Sequence, residues 1–217
     1  MEVESALLEK YHGLEALEVR INDVNVREST EDLIQFKKKK QEEIRKHIPS
    51  LEVIKDLPVL RAYRDFYWKI GIGPTKTRPA GEALIRRILG GRDLPTVNTL
   101  VDSYNIASAE SSVSIAAFDI GIINCDNLLM RSANKGESFK GIGMDAPISL
   151  LGIEVVIEDR TSKKLIAIYP YRDSDDSKVT EKSRDILFMM CGVPRIPNDQ
   201  LEFARGLTRD YVSRFCL

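Results

Sequence analysis

Apolar and polar positions along the chain repeat with two different periods. Residues 14–24, LEALEVRINDV, alternate, with Leu17, Val19 and Ile21 on one face, which predicts a half-buried strand. Leu33, Ile34, Phe36, Ile44 and Ile48 then recur at helical spacing. They predict a helix from Thr30 to about His47, started by Ser29 with Asp32 and ended by Pro49. Asp56 is placed to cap the next helix, with Pro58 in its first turn and Leu60, Tyr63, Phe66, Tyr67 and Ile70 as its apolar face. Pro79 opens a further helix that stops at Gly90-Gly91. A helix over Val97 to Ser108 would put Asn98, Asp102 and Asn105 on one face.

The second half is richer in strands. Ser114 to Ile122 and Leu128 to Ser132 read as strands, separated by a turn-rich segment with Asn124, Asp126 and Asn127. Gly152 to Asp159 and Lys164 to Tyr171 predict a hairpin around Arg160 to Lys163. Arg172 to Thr180 is a polar loop, Ser183 to Met190 a buried strand, and Asn198 caps a last helix bearing Leu201, Ala204, Leu207, Tyr211 and Phe215. Strands fall in runs instead of alternating with helices. That pattern predicts an α+β fold, mainly antiparallel, with flanking helices. Two organisations fit: an N-terminal strand-helix region, 1–77, packed on a module, 78–217, or one continuous domain.

Composition narrows the function classes. A net charge of −1 disfavours avid nonspecific nucleic-acid binding. Residues 55–92 nevertheless carry nine Lys or Arg against three Asp or Glu, a candidate phosphate-facing patch or a solvated helix surface. Within it, Tyr63, Phe66, Tyr67 and Trp68 lie beside Arg61, Arg64 and Lys69, as base-stacking residues or as core. The loop Gly71 to Pro79 lacks Walker spacing and reads as a connector. Four consecutive lysines, Lys37 to Lys40, splay round their helix and do not concentrate charge. Cys125, Cys191 and Cys216 show no metal-ligand spacing, and the two histidines, His12 and His47, lie far upstream of the polar centre. No metal and no cofactor is implied. The absence of a membrane-length apolar run and of a signal-peptide pattern at the N-terminus predicts a cytoplasmic protein without membrane contact.

The most informative stretch is Leu94 to Gly143. Short polar side chains such as Asn98, Asp102 and Asn105 are poor choices for a solvated helix face, so they suggest directed hydrogen bonds, to a ligand or to a neighbouring loop. Arg131 and Glu137 are candidates for ligand contact or for a salt bridge across a hairpin. Arg172, Asp173, Ser174 and Asp176, with Thr180 nearby, form a dense polar loop. Arg172 could meet a carboxylate or phosphate and Asp173 an amine, or the loop is a solvated turn.

The runs LPTVNTLVDSYN (Leu94 to Asn105), AAFDI (Ala116 to Ile120) and LMRSANKGESFKGIG (Leu129 to Gly143), followed by SKVTEKSRDILFM (Ser177 to Met189), resemble the tRNA-editing module of the phenylalanyl-tRNA synthetase beta subunit. The resemblance covers about Arg78 to Pro194. It implies a free-standing editing-module-like fold and recognition of tRNA, aminoacyl-tRNA or an amino-acid-like small molecule, with hydrolysis of mischarged tRNA as the candidate activity. No ATP-dependent ligase follows from it. The family pattern matches at Asn98, Asp102, Asn105, Asp119, Arg131 and Glu137. It departs at two polar pocket positions: Ala116 stands where the synthetase has a histidine two residues before its Phe-Asp pair, and Met189 where it has a glutamate. The resemblance therefore leaves the catalytic residues unassigned and the tyrosine-hydroxyl contacts of the synthetase missing.

Overall fold

The computed structural model describes residues 1–217. The chain opens with a two-residue strand β1 (Glu2–Val3), a short helix α1 (Ser5–Lys10) and strand β2 (Glu15–Ile21). Four helices follow: α2 (Glu31–His47), α3 (Pro58–Lys69), α4 (Ala80–Leu89) and α5 (Thr99–Ser111). Next come β3 (Ile115–Asp119), β4 (Leu128–Ser132), β5 (Ser138–Phe139), β6 (Ile148–Ser149), β7 (Val155–Asp159), β8 (Lys164–Tyr169) and β9 (Arg172–Asp173). Strand β10 (Ile186–Gly192) and the long helix α6 (Asn198–Cys216) end the chain.

Two sheets carry the architecture. One has the order β2-β10-β3 and is wholly antiparallel. The other runs β1-β4-β7-β8-β9 and is antiparallel apart from the parallel β1-β4 pair. Strands β5 and β6 form a separate short hairpin. The fold is thus α+β, mainly antiparallel, with helices flanking the sheets.

Side-chain alternation explains how the layers stack. Phe188 on β10 lies opposite Val19 and Ala117, and it meets Tyr104 of α5 with ring centroids 5.9 Å apart. This face of the three-stranded sheet is covered by helices. Met189, one residue on, lies opposite Glu18 and Ala116 and looks the other way, toward the five-stranded sheet. One apolar cluster continues from Leu7 through both sheets to Cys216. The first 77 residues contribute a strand to each sheet, so their apolar residues belong to the same core. No helix is long and apolar enough to cross a membrane.

Several boundaries differ from the sequence pattern. The hydroxyl at the start of α2 is that of Thr30, which accepts from Leu33 N–H at 3.4 Å; Ser29 instead donates to Asp102 at 2.9 Å. Asp56 ends a 3-10 turn and caps nothing, because α3 starts at Pro58, whose missing N–H would be an orphan there in any case. Asn98 is not on the face of α5. Its extended backbone places it before the helix, and its side chain accepts from Val101 N–H at 2.8 Å. Asn198 is likewise no cap: it is the first residue of α6, behind Pro197. Strand β3 stops at Asp119, where the carbonyl accepts from Ile122 and Ile123 N–H and turns the chain. The last strand starts three residues later than its apolar pattern suggested, at Ile186, and extends to Gly192.

Lys37 and Asp102 form a buried node between α2 and α5. Lys37 Nζ donates to Asp102 at 2.6 Å, to Thr96 Oγ1 at 2.7 Å and to the Pro95 carbonyl at 3.0 Å. Asp102 also accepts from Ser29 and, at 2.9 Å, from Val97 N–H. Two further donors to the carboxylate and two acceptors for the ammonium supply what desolvation removes. The lysine run therefore does split: Lys37 turns inward, Lys40 pairs with Glu110 at 2.9 Å, and Lys38 and Lys39 face solvent.

Arg131 makes a second node. It donates to Glu137 at 2.6 and 2.9 Å and to Glu158 on β7 at 2.6 Å. Arg131 holds the Glu137 carboxyl down to about 2, against the opposing effect of burial and with help from Asn134. The pair crosses the turn between β4 and β5, the salt-bridge reading of these two residues.

Two predictions follow from the nodes. Asp102→Ala strands a buried ammonium and should lower unfolding free energy by about 3–5 kcal/mol in urea titrations. The double variant Lys37→Met/Asp102→Leu should recover most of that loss; equal losses would show that the charges themselves carry no penalty when separated. Glu137 is ionised more readily in the folded state than in the unfolded one, whose carboxyl titrates near 4.3. Its contribution is complete above that value and disappears as pH falls toward about 2. The melting-temperature gap between wild type and Glu137→Gln should accordingly close between about pH 4.5 and 2, and a gap independent of pH would contradict the ion pair.

Candidate functional site

The candidate site lies where the two sheets face each other. A cavity of about 90 Å³ is walled by Ala116 of β3, Cys191 of β10, Ile157 and Ala167 of the larger sheet, and the segment Tyr169 to Asp173. Ser114 and Cys191 are buried, whereas Ala80, Arg172 and Asp173 keep exposed surface, so the cavity has a closed floor and an open mouth. Small residues make room for it. Ser114 and Ala116, alternate residues on one face of the strand, carry side chains too short to close the gap between the sheets.

Arg172 and Asp173 sit at the mouth because β9 is clamped from both sides. It pairs with β8 through Ile168 and Ala167. Ile142 N–H donates to the Asp173 carbonyl at 3.0 Å, and Gly141 bridges to Ser174. The Arg172 guanidinium lies 4.9 Å from the Tyr171 ring centre and donates to the Ile142 carbonyl at 2.5 Å. Gly141 permits this, since a Cβ there would fall 2.3 Å from Arg172 Cδ and 3.0 Å from the Phe139 ring. Arg172 Nε is buried without a protein partner.

Asp173 points its carboxyl across to β3. Burial pushes its pKa up to about 7; a hydrogen bond from Ala117 N–H and the neighbouring Arg172 charge pull the other way and do not prevail. No salt bridge joins Asp173 to Arg172 or to any other cation. Burial with no paired cation thus leaves the carboxyl raised to about 7.

The floor is neutral. Tyr63 donates to the Cys191 carbonyl and accepts from Ser114 N–H at 3.0 Å. Tyr169 donates to the Glu15 carbonyl at 2.5 Å, with the Gly192 carbonyl 3.2 Å from the same hydroxyl. Burial raises the pKa values of Tyr63, Tyr169 and Cys191 far above their ordinary ranges. Cys191 is therefore a protonated thiol and a poor nucleophile. Ser114 Oγ is different: it is buried and no protein group bonds it.

Of the candidate ligand-binding residues, the structure brings Arg172 and Asp173 to this cavity. The others lie elsewhere. Asn98 caps α5 and Asp102 pairs with Lys37. Asn105 is half-buried on α5, outside the wall. Asp119 accepts from Ser183 Oγ at 2.5 Å and Gly121 N–H at 2.8 Å, closing the turn after β3. Arg131 and Glu137 bind each other. Ser174 caps the 3-10 turn that follows β9, and Thr180 accepts from Lys182 N–H at 3.2 Å. The polar residues of the central stretch and those of the late loop do not share one cavity. Among the aromatic residues of α3, Tyr63, Phe66 and Tyr67 are core, while Trp68 alone is exposed. Ser114 was not singled out by the sequence; its only local signal is a hydroxyl in a strand of small residues facing a gap.

Ala116 and Met189, the two positions at which the family pattern departs, stand directly opposite each other on β3 and β10. Ala116 lines the cavity. The polar chemistry of this cavity comes instead from β9 and from Ser114. No group of three or more His, Cys, Asp or Glu side chains is placed to hold a metal ion.

A search of curated proteins returns no match to the sequence. Among solved structures, the chain is similar to the crystal structure of an N-terminal fragment of the phenylalanyl-tRNA synthetase beta subunit from Pyrococcus horikoshii, with a TM-score of 0.50 and 11% identity. The alignment takes in 99% of this chain and 48% of that one, so the chain spans about half the length of the fragment. At that identity the likeness is one of fold. The family model described as B3/4 domain matches residues 62–215, a span that includes the last turns of α3, both faces of the cavity and nearly all of α6. The chain belongs to the B3/4 domain family.

Proposed function

We propose that the cavity receives the aminoacyl end of an aminoacyl-tRNA and that the protein hydrolyses the ester, removing an amino acid from tRNA in trans. The observation that carries this reading is the Asp173 carboxyl, poised at about 7 at the mouth of a cavity between the sheets. Family membership supports it: the similar solved structure comes from a tRNA synthetase subunit, although the likeness itself is one of fold.

A carboxylate titrating near neutrality is matched to general-base work at physiological pH. Asp173 would take a proton from water as the water oxygen attacks the ester carbonyl carbon. The negative charge that develops on the carbonyl oxygen would be stabilised by the Arg172 guanidinium, which lines the same cavity. On collapse the bond to the ribose oxygen breaks, and the protonated Asp173 returns its proton to that oxygen. The products are a free amino acid and an uncharged tRNA. A second reading, binding of an amino-acid-like molecule without turnover, is favoured by the apolar Ala116 and Met189 at the two positions discussed above.

A deacylation assay with a panel of mischarged tRNAs separates the two. Wild type should hydrolyse at least one member, with kcat/KM rising through about pH 7 as Asp173 ionises. Asp173→Asn should be slower by roughly 10²–10⁴-fold. Turnover unaffected by Asp173→Asn removes the base assignment, and binding without turnover by wild type selects the second reading.

The same residue gives a stability prediction of opposite sign to that of Glu137. The Asp173 pKa is raised in the folded state, so ionising it costs stability from about pH 4, the unfolded value, up to about 7 and fully above it. Asp173→Asn should therefore melt higher than wild type at pH 8 and at the same temperature at pH 4. A variant that melts lower at pH 8 would show that the carboxylate is compensated in the fold.

A further inference from the structure

The cavity floor also specifies a ligand. We infer that it selects an aminoacyl group whose side chain is small and bears a hydroxyl, with that hydroxyl exchanging hydrogen bonds with Ser114 Oγ. The inference rests on the reading that the cavity receives an aminoacyl ester, and it adds which one.

Volume sets the first limit. The cavity measures about 90 Å³, well below the roughly 150 Å³ that accommodates benzene in a protein interior. An aromatic side chain reaching the floor would require the sheets to separate, and overpacking the space between them is destabilising. The walls nearest the floor are strand residues of both sheets, Ala116, Ile157 and Ala167, which leave little freedom to yield.

Hydrogen-bond accounting sets the second. Buried polar atoms find partners as a rule, so each exception needs an explanation. The hydroxyls of Tyr63 and Tyr169 are spent on the carbonyls of Cys191, Glu15 and Gly192. Ser114 N–H is spent on Tyr63 Oη at 3.0 Å. Ser114 Oγ remains, buried to 2% exposure on the cavity wall with no protein partner. A serine hydroxyl donates once and accepts twice, so it complements another hydroxyl in either direction.

Charge sets the third. Tyr169 and Cys191 on the wall, and Tyr63 bonded behind them, are held neutral by burial, so the floor offers nothing to an ionised side chain. The charged groups, Arg172 and Asp173, stand at the mouth, where the invariant parts of an aminoacyl ester would lie. A neutral, short, polar side chain fits the floor and none of the larger classes does.

The test uses non-hydrolysable 3′-amide analogues of aminoacyl-adenosine carrying seryl, alanyl and phenylalanyl groups, titrated calorimetrically into wild type and Ser114→Ala. Wild type should bind the seryl analogue about tenfold more tightly than the alanyl one, the effect of one neutral hydrogen bond, and should not bind the phenylalanyl analogue. Ser114→Ala should bind seryl and alanyl analogues equally. It removes a hydroxyl that no protein group uses and keeps the N–H bond to Tyr63, so its melting temperature should stay at the wild-type value and a loss of fold is not the explanation. Equal wild-type affinity for seryl and alanyl analogues, or discrimination that survives in Ser114→Ala, overturns the inference. Phenylalanyl as the tightest ligand overturns it while leaving aminoacyl recognition standing. Failure of all three analogues to bind overturns both.

Discussion

A buried strand edge is the constraint on which the site depends. Strand β3 is the end of its sheet, yet Ala117 in its middle is buried. The N–H and C=O groups of such an edge cannot be left to water, and leaving them unpaired is costly. The structure resolves this by bringing the chain after β8 against the edge. Phe118 bridges to Lys178, and the Asp173 carboxyl comes close enough to Ala117 N–H for that group to favour its charged form. A structural need thus draws a carboxyl into a gap between two sheets. Desolvation there outweighs the single hydrogen bond, and the acid titrates near 7. The same geometry that seals the sheet edge makes Asp173 chemically useful.

Much of the layering was legible in the sequence because it follows from periodicity. The alternation through Leu17, Val19 and Ile21 and the helical spacing through Tyr63, Phe66 and Tyr67 reflect burial directly, and the elements appear where those patterns put them. Strands β1, β5, β6 and β9 were not legible. Each has two residues, too few for any period, and exists only because a distant segment pairs with it. Caps were a second weak point. Ser29, Asp56 and Asn198 all have cap chemistry, but a hydroxyl or carboxyl near a helix start has several possible partners. For Ser29 the winner was Asp102, 73 positions away.

The site was legible in part, for the same reason. Short polar residues in α5 do make directed hydrogen bonds, as their poor helix propensity implies, but to protein and not to a cavity. What the sequence could not carry was the partner: Lys37 looks like any other member of a lysine run until the packing of α2 on α5 buries it. Arg172 and Asp173 were found because a dense polar loop is conspicuous. Ser114 was not, since a single hydroxyl among alanines gains meaning only from the absence of a bonding partner, which is a property of three dimensions.

The last step concerns why two adjacent residues of opposite charge do not neutralise each other. On a strand, consecutive side chains point to opposite faces. Arg172 is drawn to one side by the Tyr171 ring, by the Ile142 carbonyl and by the space over Gly141, while Asp173 turns to β3. Were the guanidinium free to swing round, an opposite charge within about 4–6 Å would lower the carboxylate by about 1–3 units, well below neutrality. Pinning Arg172 therefore does two things at once. It keeps a cation at the mouth of the cavity, and it keeps that cation from pulling the Asp173 pKa down further. Gly141, remote from both residues in sequence, is part of this arrangement because only a residue without a side chain lets the arginine stem lie against the backbone.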